Sequence, residues 1–197
     1  MSDLEKLLIK KSQSGDIESF ELLISSYDKR AYNTAYRVMG NEEDAKDMAQ
    51  EAMIRVFRAL KDFKGQSAFS TWLYRIVINV CLDELRRRKN EKYVSMDSTV
   101  QTDSGELHIE LCSDKETPEA VYERVEQREL IKNAIHELND DYKSVIVLRE
   151  IQGFSYEEIS NILDCSLGTV KSRINRARTM LRDKLKVRME LSQENRV

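Results

Sequence analysis

Three observations predict an all-α fold made of two small helical domains joined by a flexible acidic linker, the second ending in a helix-turn-helix. Apolar residues recur at helical spacing through residues 1–90 and again through 118–190. Six glycines and one proline in 197 residues leave little turn chemistry for an all-β chain. Between the two periodic blocks, residues 91–117 scatter Ser95, Ser98, Thr99, Thr102, Ser104, Gly105 and Ser113 among acids, and the period is lost.

In the first block, an amphipathic start at Leu4, Leu7 and Leu8 ends near Ser14-Gly15-Asp16. Phe20, Leu23, Ile24, Tyr27, Ala31, Ala35 and Val38 predict one long helix closed by Gly40. Asn41 is placed to cap the next, with Glu42, Glu43 and Asp44 in the first turn, where the helix dipole favours acid. That helix carries Met48, Ala52, Met53, Val56, Phe57 and Leu60. A loop at Phe63-Lys64-Gly65-Gln66-Ser67 leads to a helix from Phe69 to Lys89. Beyond the linker, Pro118 suits the first helical position, and Val121, Val125, Ile131, Ala134, Ile135 and Leu138 continue that helix. A turn at Asn139-Asp140-Asp141 precedes a helix from Tyr142 to Gln152, which Gly153 ends.

The last stretch carries the sharpest local signal. Ser155 followed by Glu158 is a capping box that starts a helix at Tyr156, with Ile159, Ile162 and Leu163 as its apolar face. Asp164-Cys165-Ser166 breaks it, and Ser166 caps a second helix. There Val170, Ile174, Ala177, Leu181 and Leu185 share one face, while Lys171, Arg173, Arg176, Arg178 and Arg182 lie mostly off it. A helix buried along one stripe and cationic elsewhere suits a DNA major groove.

The net charge of −3 hides strong local asymmetry. From Lys171 to Arg188 eight basic residues face Asp183 alone, and Arg86-Arg87-Arg88-Lys89 forms a second basic cluster. Acid gathers at Glu42–Glu51 and from Asp97 to Glu129. Local charge sets where phosphates dock, so the chain is expected to carry two sites. Cys81, Cys112 and Cys165 form no Cys-x-x-Cys pair, which argues against a disulfide framework, and Cys81 in its apolar run reads as a buried thiol. His108 and His136 lack ligand-spaced companions, so no metal or cofactor is expected. No apolar run approaches a membrane span, and the N-terminus lacks the pattern of a secretory signal; a cytoplasmic location without membrane insertion is expected.

Phe63, Phe69, Trp72 and Tyr74 crowd beside Lys64, Arg75 and the Arg86–Lys89 run. Each ring alone is most simply core. Together with the loop and the basic tail they suit single-stranded nucleic acid, whose bases stack on rings while cations follow the backbone.

Asp44-Ala45-Lys46-Asp47-Met48-Ala49-Gln50-Glu51-Ala52, then Phe63-Lys64-Gly65-Gln66-Ser67-Ala68-Phe69-Ser70-Thr71-Trp72-Leu73-Tyr74-Arg75-Ile76, then Gly168-Thr169-Val170-Lys171-Ser172-Arg173-Ile174-Asn175-Arg176-Ala177-Arg178 resembles, in order, the extracytoplasmic-function (ECF) class of bacterial RNA polymerase sigma factors. The resemblance implies that residues 1–90 bind core polymerase and melt the minus-ten element, and that residues 118–190 read the minus-thirty-five element. It places Asp47, Gln50, Glu51, Met53 and Phe57 against the β′ clamp helices, with the β flap as a second polymerase contact. It places Ala59, Phe63, Ile76 and Asn79 around an extruded base, with Trp72, Tyr74 and Arg75 opening or holding the duplex, Arg86 and Arg87 on phosphates, and Phe69 in the same minus-ten element. It places Thr169, Lys171, Ser172, Arg173, Asn175 and Arg176 at the minus-thirty-five duplex, Asn175 standing where relatives carry an aromatic. It also implies an anti-sigma factor as partner, often membrane-linked.

Two other readings compete. An ordinary helix-turn-helix regulator explains the last two helices but leaves the aromatic loop and acidic helix as accidents. An enzyme needs a nucleophile–base pair, a phosphate-binding glycine loop or a metal cluster, and the sequence presents none.

Overall fold

The computed structural model describes residues 2–94 and 118–194, and their regular structure is entirely helical. The expected linker lies outside the described residues from 95 to 117, while residues 91–94 continue the preceding helix instead of leaving it.

The first block holds α1 (Asp3–Gln13), α2 (Ile17–Ser25), α3 (Asp28–Met39), α4 (Glu42–Ala59) and α5 (Phe69–Val94). The single helix expected from Phe20 to Val38 is two helices. Its apolar period runs on unbroken, but the Ser25 and Ser26 hydroxyls donate to the Leu22 and Leu23 carbonyls, satisfying groups that a further turn would have used. The chain then turns at Tyr27, whose hydroxyl donates to Glu5 and ties α3 to α1.

Gly40 ends α3 at φ +92°, and Asn41 caps α4 through the Asp44 amide at 2.8 Å. Where α3 meets α4 the buried side chains are small, Ala31, Ala35 and Val38 against Ala45, Ala49, Ala52 and Val56. Small residues let helix axes approach closely, and a larger side chain at any of these positions would force them apart. Leu60, Phe69, Leu73, Val77 and Ile78 complete this core, together with Cys81, whose thiol burial pushes up to about 12.

A single turn of 3₁₀ helix, Leu60–Asp62, leads from α4 into the loop. Gln13 of α1 donates to the Leu60 and Phe63 carbonyls at 3.0 and 2.9 Å, so the loop is held from behind by a side chain fifty residues away. At the far end of α5, Arg88 grips both carboxylate oxygens of Asp44 and also pairs with Glu84. That guanidinium and the Asn41 amide hold the Asp44 carboxyl below its ordinary range.

The second block holds α6 (Pro118–His136), α7 (Asp140–Ile146), α8 (Tyr156–Leu163) and α9 (Leu167–Glu194). The helix expected from Tyr142 to Gln152 starts earlier, because Asn139 takes the cap position and Asp140 the first turn. It also ends differently, in a π-helical turn at Val147–Ile151 closed by Gly153 at φ +77°. The wide turn adds no polar signature to the sequence, and π-turns commonly mark places where a helix is re-aimed for packing or function.

The two blocks pack against each other. Residues 143–148 are all buried, including Lys143 at 4% exposure, so this segment is enclosed on every side. One side is α9; the other is α3 and α5 of the first block.

Candidate nucleic-acid interface

In the second block the local chemistry builds a helix-turn-helix. The Ser155–Glu158 capping box is closed in both directions, with bonds of 3.2 and 2.8 Å. Asp164 turns the chain at φ 50°, a left-handed conformation that its short polar side chain tolerates. Ser160 bonds the Cys165 carbonyl across the turn, and Ser166 caps α9 through the Thr169 amide at 3.1 Å. Ile159 and Ile162 on α8 and Val170, Ile174 and Ala177 on α9 are fully buried, which fixes the angle between the two helices and the face that α9 turns outward.

The outward cations of α9 divide into two kinds. Arg173 pairs with Asp141 at 2.8 Å, Arg178 with Glu150 at 2.6 Å, and Lys184 and Arg188 with Glu137. Arg182 pairs with its neighbour Asp183. Lys171 and Arg176 are exposed and make no ion pair among the described residues. Ser172 is exposed with its hydroxyl turned back to the Thr169 carbonyl, and Asn175 is exposed one position before Arg176. Thus the basic helix is not uniformly free: its brace residues hold it to its own domain, and Lys171, Ser172, Asn175 and Arg176 remain as the open group.

In the first block, α4 presents Asp47 and Gln50 to solvent, with Glu51 bonded to Arg55. Met53 is half-buried, and Phe57 is 47% exposed with its ring edge-on to Phe20 at 4.9 Å. Acidic, amide and apolar groups therefore share one accessible helix.

The aromatic loop is more buried than its sequence suggested. Phe69 and Tyr74 are core residues and Phe63 is 8% exposed; only Trp72 is half-open. Phe63, Phe69 and Trp72 pack ring to ring at 5.0–5.6 Å, so they brace one another as one aromatic unit. Beside them lies a cavity of about 360 Å³, lined by Phe63, Lys64, Ser67, Trp72 and Arg75 and also by Asn161 of α8. Ala59, Ile76 and Asn79, expected with Phe63 around one pocket, do not line it. Asn79 lies on the same face of α5 as Trp72 but two turns on, about 10 Å along the axis.

The Arg86–Lys89 run is not a bare cationic patch either. Arg86 pairs with Asp83, Arg87 with Glu84 and Glu91, and Lys89 with Asp140 of α7. The two arginines Arg87 and Arg88 drive the Glu84 carboxyl down to about 2. The Arg86–Asp83 and Arg87–Glu91 pairs are exposed at both ends, and such pairs are worth only about 0–1 kcal/mol, so a phosphate can displace those acids at little cost. Asp83, Glu84 and Glu91 stand three or four residues from these arginines and are helical neighbours in the sequence; Asp140 and Asn161 are not, because only the packing of the two blocks brings them here.

Among the described residues no helix is long and apolar enough to cross a membrane. The family model for Sigma-70 region 2 matches residues 23–91, and that for Sigma-70, region 4 matches residues 128–181. The chain is 38% identical over 185 residues to the ECF RNA polymerase sigma-E factor of Haemophilus influenzae, covering 92% of this chain and 95% of that one. It is 36% identical over 186 residues to the ECF RNA polymerase sigma factor SigW of Bacillus subtilis, covering 94% and 99%. Among solved structures, the sigma factor RpoE in complex with the anti-sigma factor NepR from Bartonella quintana has the same fold, with a TM-score of 0.68 at 24% identity over 86% of this chain and 98% of that one.

Proposed function

The chain belongs to the ECF RNA polymerase sigma factors, and from that premise we propose how its surfaces divide the work of promoter recognition. As a sigma factor it is not an enzyme; it binds core RNA polymerase and promoter DNA and starts transcription at specific promoters.

In the proposed division, α9 lies in the minus-thirty-five major groove. Arg176 makes a bidentate contact to guanine, Lys171 holds phosphate, and Thr169, Ser172 and Asn175 complete the reading face. The observation that carries this assignment is that Lys171 and Arg176 stay exposed and unpaired while Arg173 and Arg178 are committed to acids of their own domain. The loop at Phe63–Ser70 and the outer face of α5 open the minus-ten element. Trp72 offers the accessible ring, Arg75, Arg86 and Arg87 the cations, and Asn79 the amide for a base edge. Asp47, Gln50, Glu51, Met53 and Phe57 bind the polymerase β′ clamp helices, and the second block meets the β flap. The family resemblance further supports an anti-sigma factor as partner and a cytoplasmic site of action.

In vitro transcription with core polymerase on a randomised promoter pool tests the division. Recovered templates should share two sequence elements at constant spacing, and Arg176→Ala should relax the upstream one alone. Templates with a single shared element, or relaxation of the downstream one, would refute it.

A further inference from the structure

We infer that Gln13, the last residue of α1, is a positioning residue for promoter opening: it touches no DNA and acts by fixing the loop that carries Phe63 and leads to Trp72. The inference rests on the minus-ten reading of that loop just proposed. The Sigma-70 region 2 match begins at residue 23, so α1 lies ahead of it.

α1 is tied to the loop from both of its ends. Ile9 buries its middle against the core of the first block. At the C-terminal end the Ser14 hydroxyl donates to the Lys11 carbonyl at 2.7 Å and Gly15 turns the chain at φ +97°, so the last turn is held closed. Gln13 stands there half-buried, and its side-chain amide donates to the Leu60 and Phe63 carbonyls at 3.0 and 2.9 Å, which uses both of its N–H groups. Near the start of α1, Glu5 accepts from the Tyr27 hydroxyl, and the Tyr27 ring meets Phe69 edge-on at 5.4 Å. Phe69 in turn packs on Phe63 and on Trp72, each at 5.6 Å. Gln13 thus holds the backbone of the loop, and Tyr27 backs its rings.

The two carbonyls that Gln13 holds decide where the loop begins. Phe63 leaves the 3₁₀ turn in extended backbone, φ −70° and ψ 110°, so its carbonyl has passed out of the helical ladder and is satisfied by a side chain instead. Beyond it Lys64, Gly65 and Gln66 are exposed, and Gly65 turns at φ +69° with open space around it. A segment with so little packing of its own keeps a defined shape chiefly through its ends. Phe63 and Trp72 line the cavity beside it, so a shift of the Phe63 backbone moves the cavity wall. A site works only while its wall is held near the productive geometry by the residues behind it. Loss of the Gln13 amide therefore acts on strand opening, and leaves the proposed contacts of α4 and α9 in place.

The test uses the full chain, alone and with core polymerase. Gln13→Met keeps the size and helix preference of the side chain but removes both donors, and Gln13→Lys returns donors at similar reach. Trp72 is the single tryptophan of the chain, so its emission reports the loop directly. In Q13M, acrylamide should quench that emission more strongly, and permanganate footprinting should show promoter opening slowed about tenfold, the scale of one or two net hydrogen bonds. Closed-complex affinity, read at a temperature too low for opening, should match wild type. Q13K should return quenching and opening toward wild-type values. A Q13M that opens promoters normally overturns the inference. So does a deficit that falls equally on closed-complex binding and that no donor rescues, since that is a loss of folding. Trp72→Ala separates the inference from its premise. If W72A opens promoters poorly and Q13M normally, the role of Gln13 fails and the minus-ten reading stands; if both open them normally, the minus-ten reading fails and takes the inference with it.

Discussion

Replacing Tyr74 with phenylalanine should make the free chain more stable. The Tyr74 side chain is 1% exposed and its hydroxyl has no hydrogen-bond partner among the described residues. Burial raises the pKa of the phenol above its ordinary range, with Arg30 and the Thr34 hydroxyl acting against it. The Thr34 hydroxyl faces it and acts on the phenol, but geometrically it already donates to the Arg30 carbonyl and accepts from Gln152, both at 2.8 Å. An unpaired buried hydroxyl costs about 1–3 kcal/mol, and phenylalanine removes it while keeping the ring that packs on Phe154. For a chain of this size each kcal/mol corresponds to about 2–4 °C in the melting temperature. Calorimetry on the full chain should show Y74F melting at least about 2 °C above wild type. A variant melting about 2 °C or more below wild type would mean that the hydroxyl has a partner after all, and that Tyr74 packs differently against α3 and Phe154.

Arg176→Ala should weaken binding of the polymerase holoenzyme to its promoter by about 1–3 kcal/mol with loss of preference at one upstream base, whereas Lys171→Ala should weaken all sequences alike and lower the salt-dependence slope by about one; titrations at several salt concentrations separate the two. Acid should loosen the packing of the two blocks through His136, whose imidazole sits where a Cβ on Gly40 would come within 2.1 Å. Burial first, then Lys143 and Lys132, hold its proton affinity below the ordinary histidine value of 6.5, with Glu137 and Asp140 acting against them. Because the folded pKa is the lower one, its contribution is present above about pH 6.5 and is lost as the pH falls below that value. Scattering should therefore show expansion on acidification, and His136→Gln should blunt it.

Much of the fold was legible because its signals are local. The Ser155–Glu158 box, the Asn41 cap and the Gly40 stop each depend on atoms within a few residues, and each stands where the pattern put it. The misreadings have local causes too. The break at Ser25-Ser26 keeps the apolar period, and the π-turn after Ile146 changes hydrogen bonding without changing composition. The aromatic loop shows a different limit. Clustering of Phe63, Phe69, Trp72 and Tyr74 was plain, but which ring faces solvent depends on what packs behind it, and only Trp72 does so in part.

By itself the sequence determined most of the helices, the two-block division of apolar pattern and charge, and the family, because caps, periods and motifs are written in neighbouring residues. Tertiary structure alone decided which cations of α9 are spent on Asp141, Glu150 and Glu137 and which remain open, since those acids lie 28 to 51 residues away. It alone placed Phe154, Asp164 and Asn161 against the loop and α5. A basic residue reads the same in sequence whether it waits for a phosphate or already holds a carboxylate; the difference lies in distance, which only the folded chain supplies.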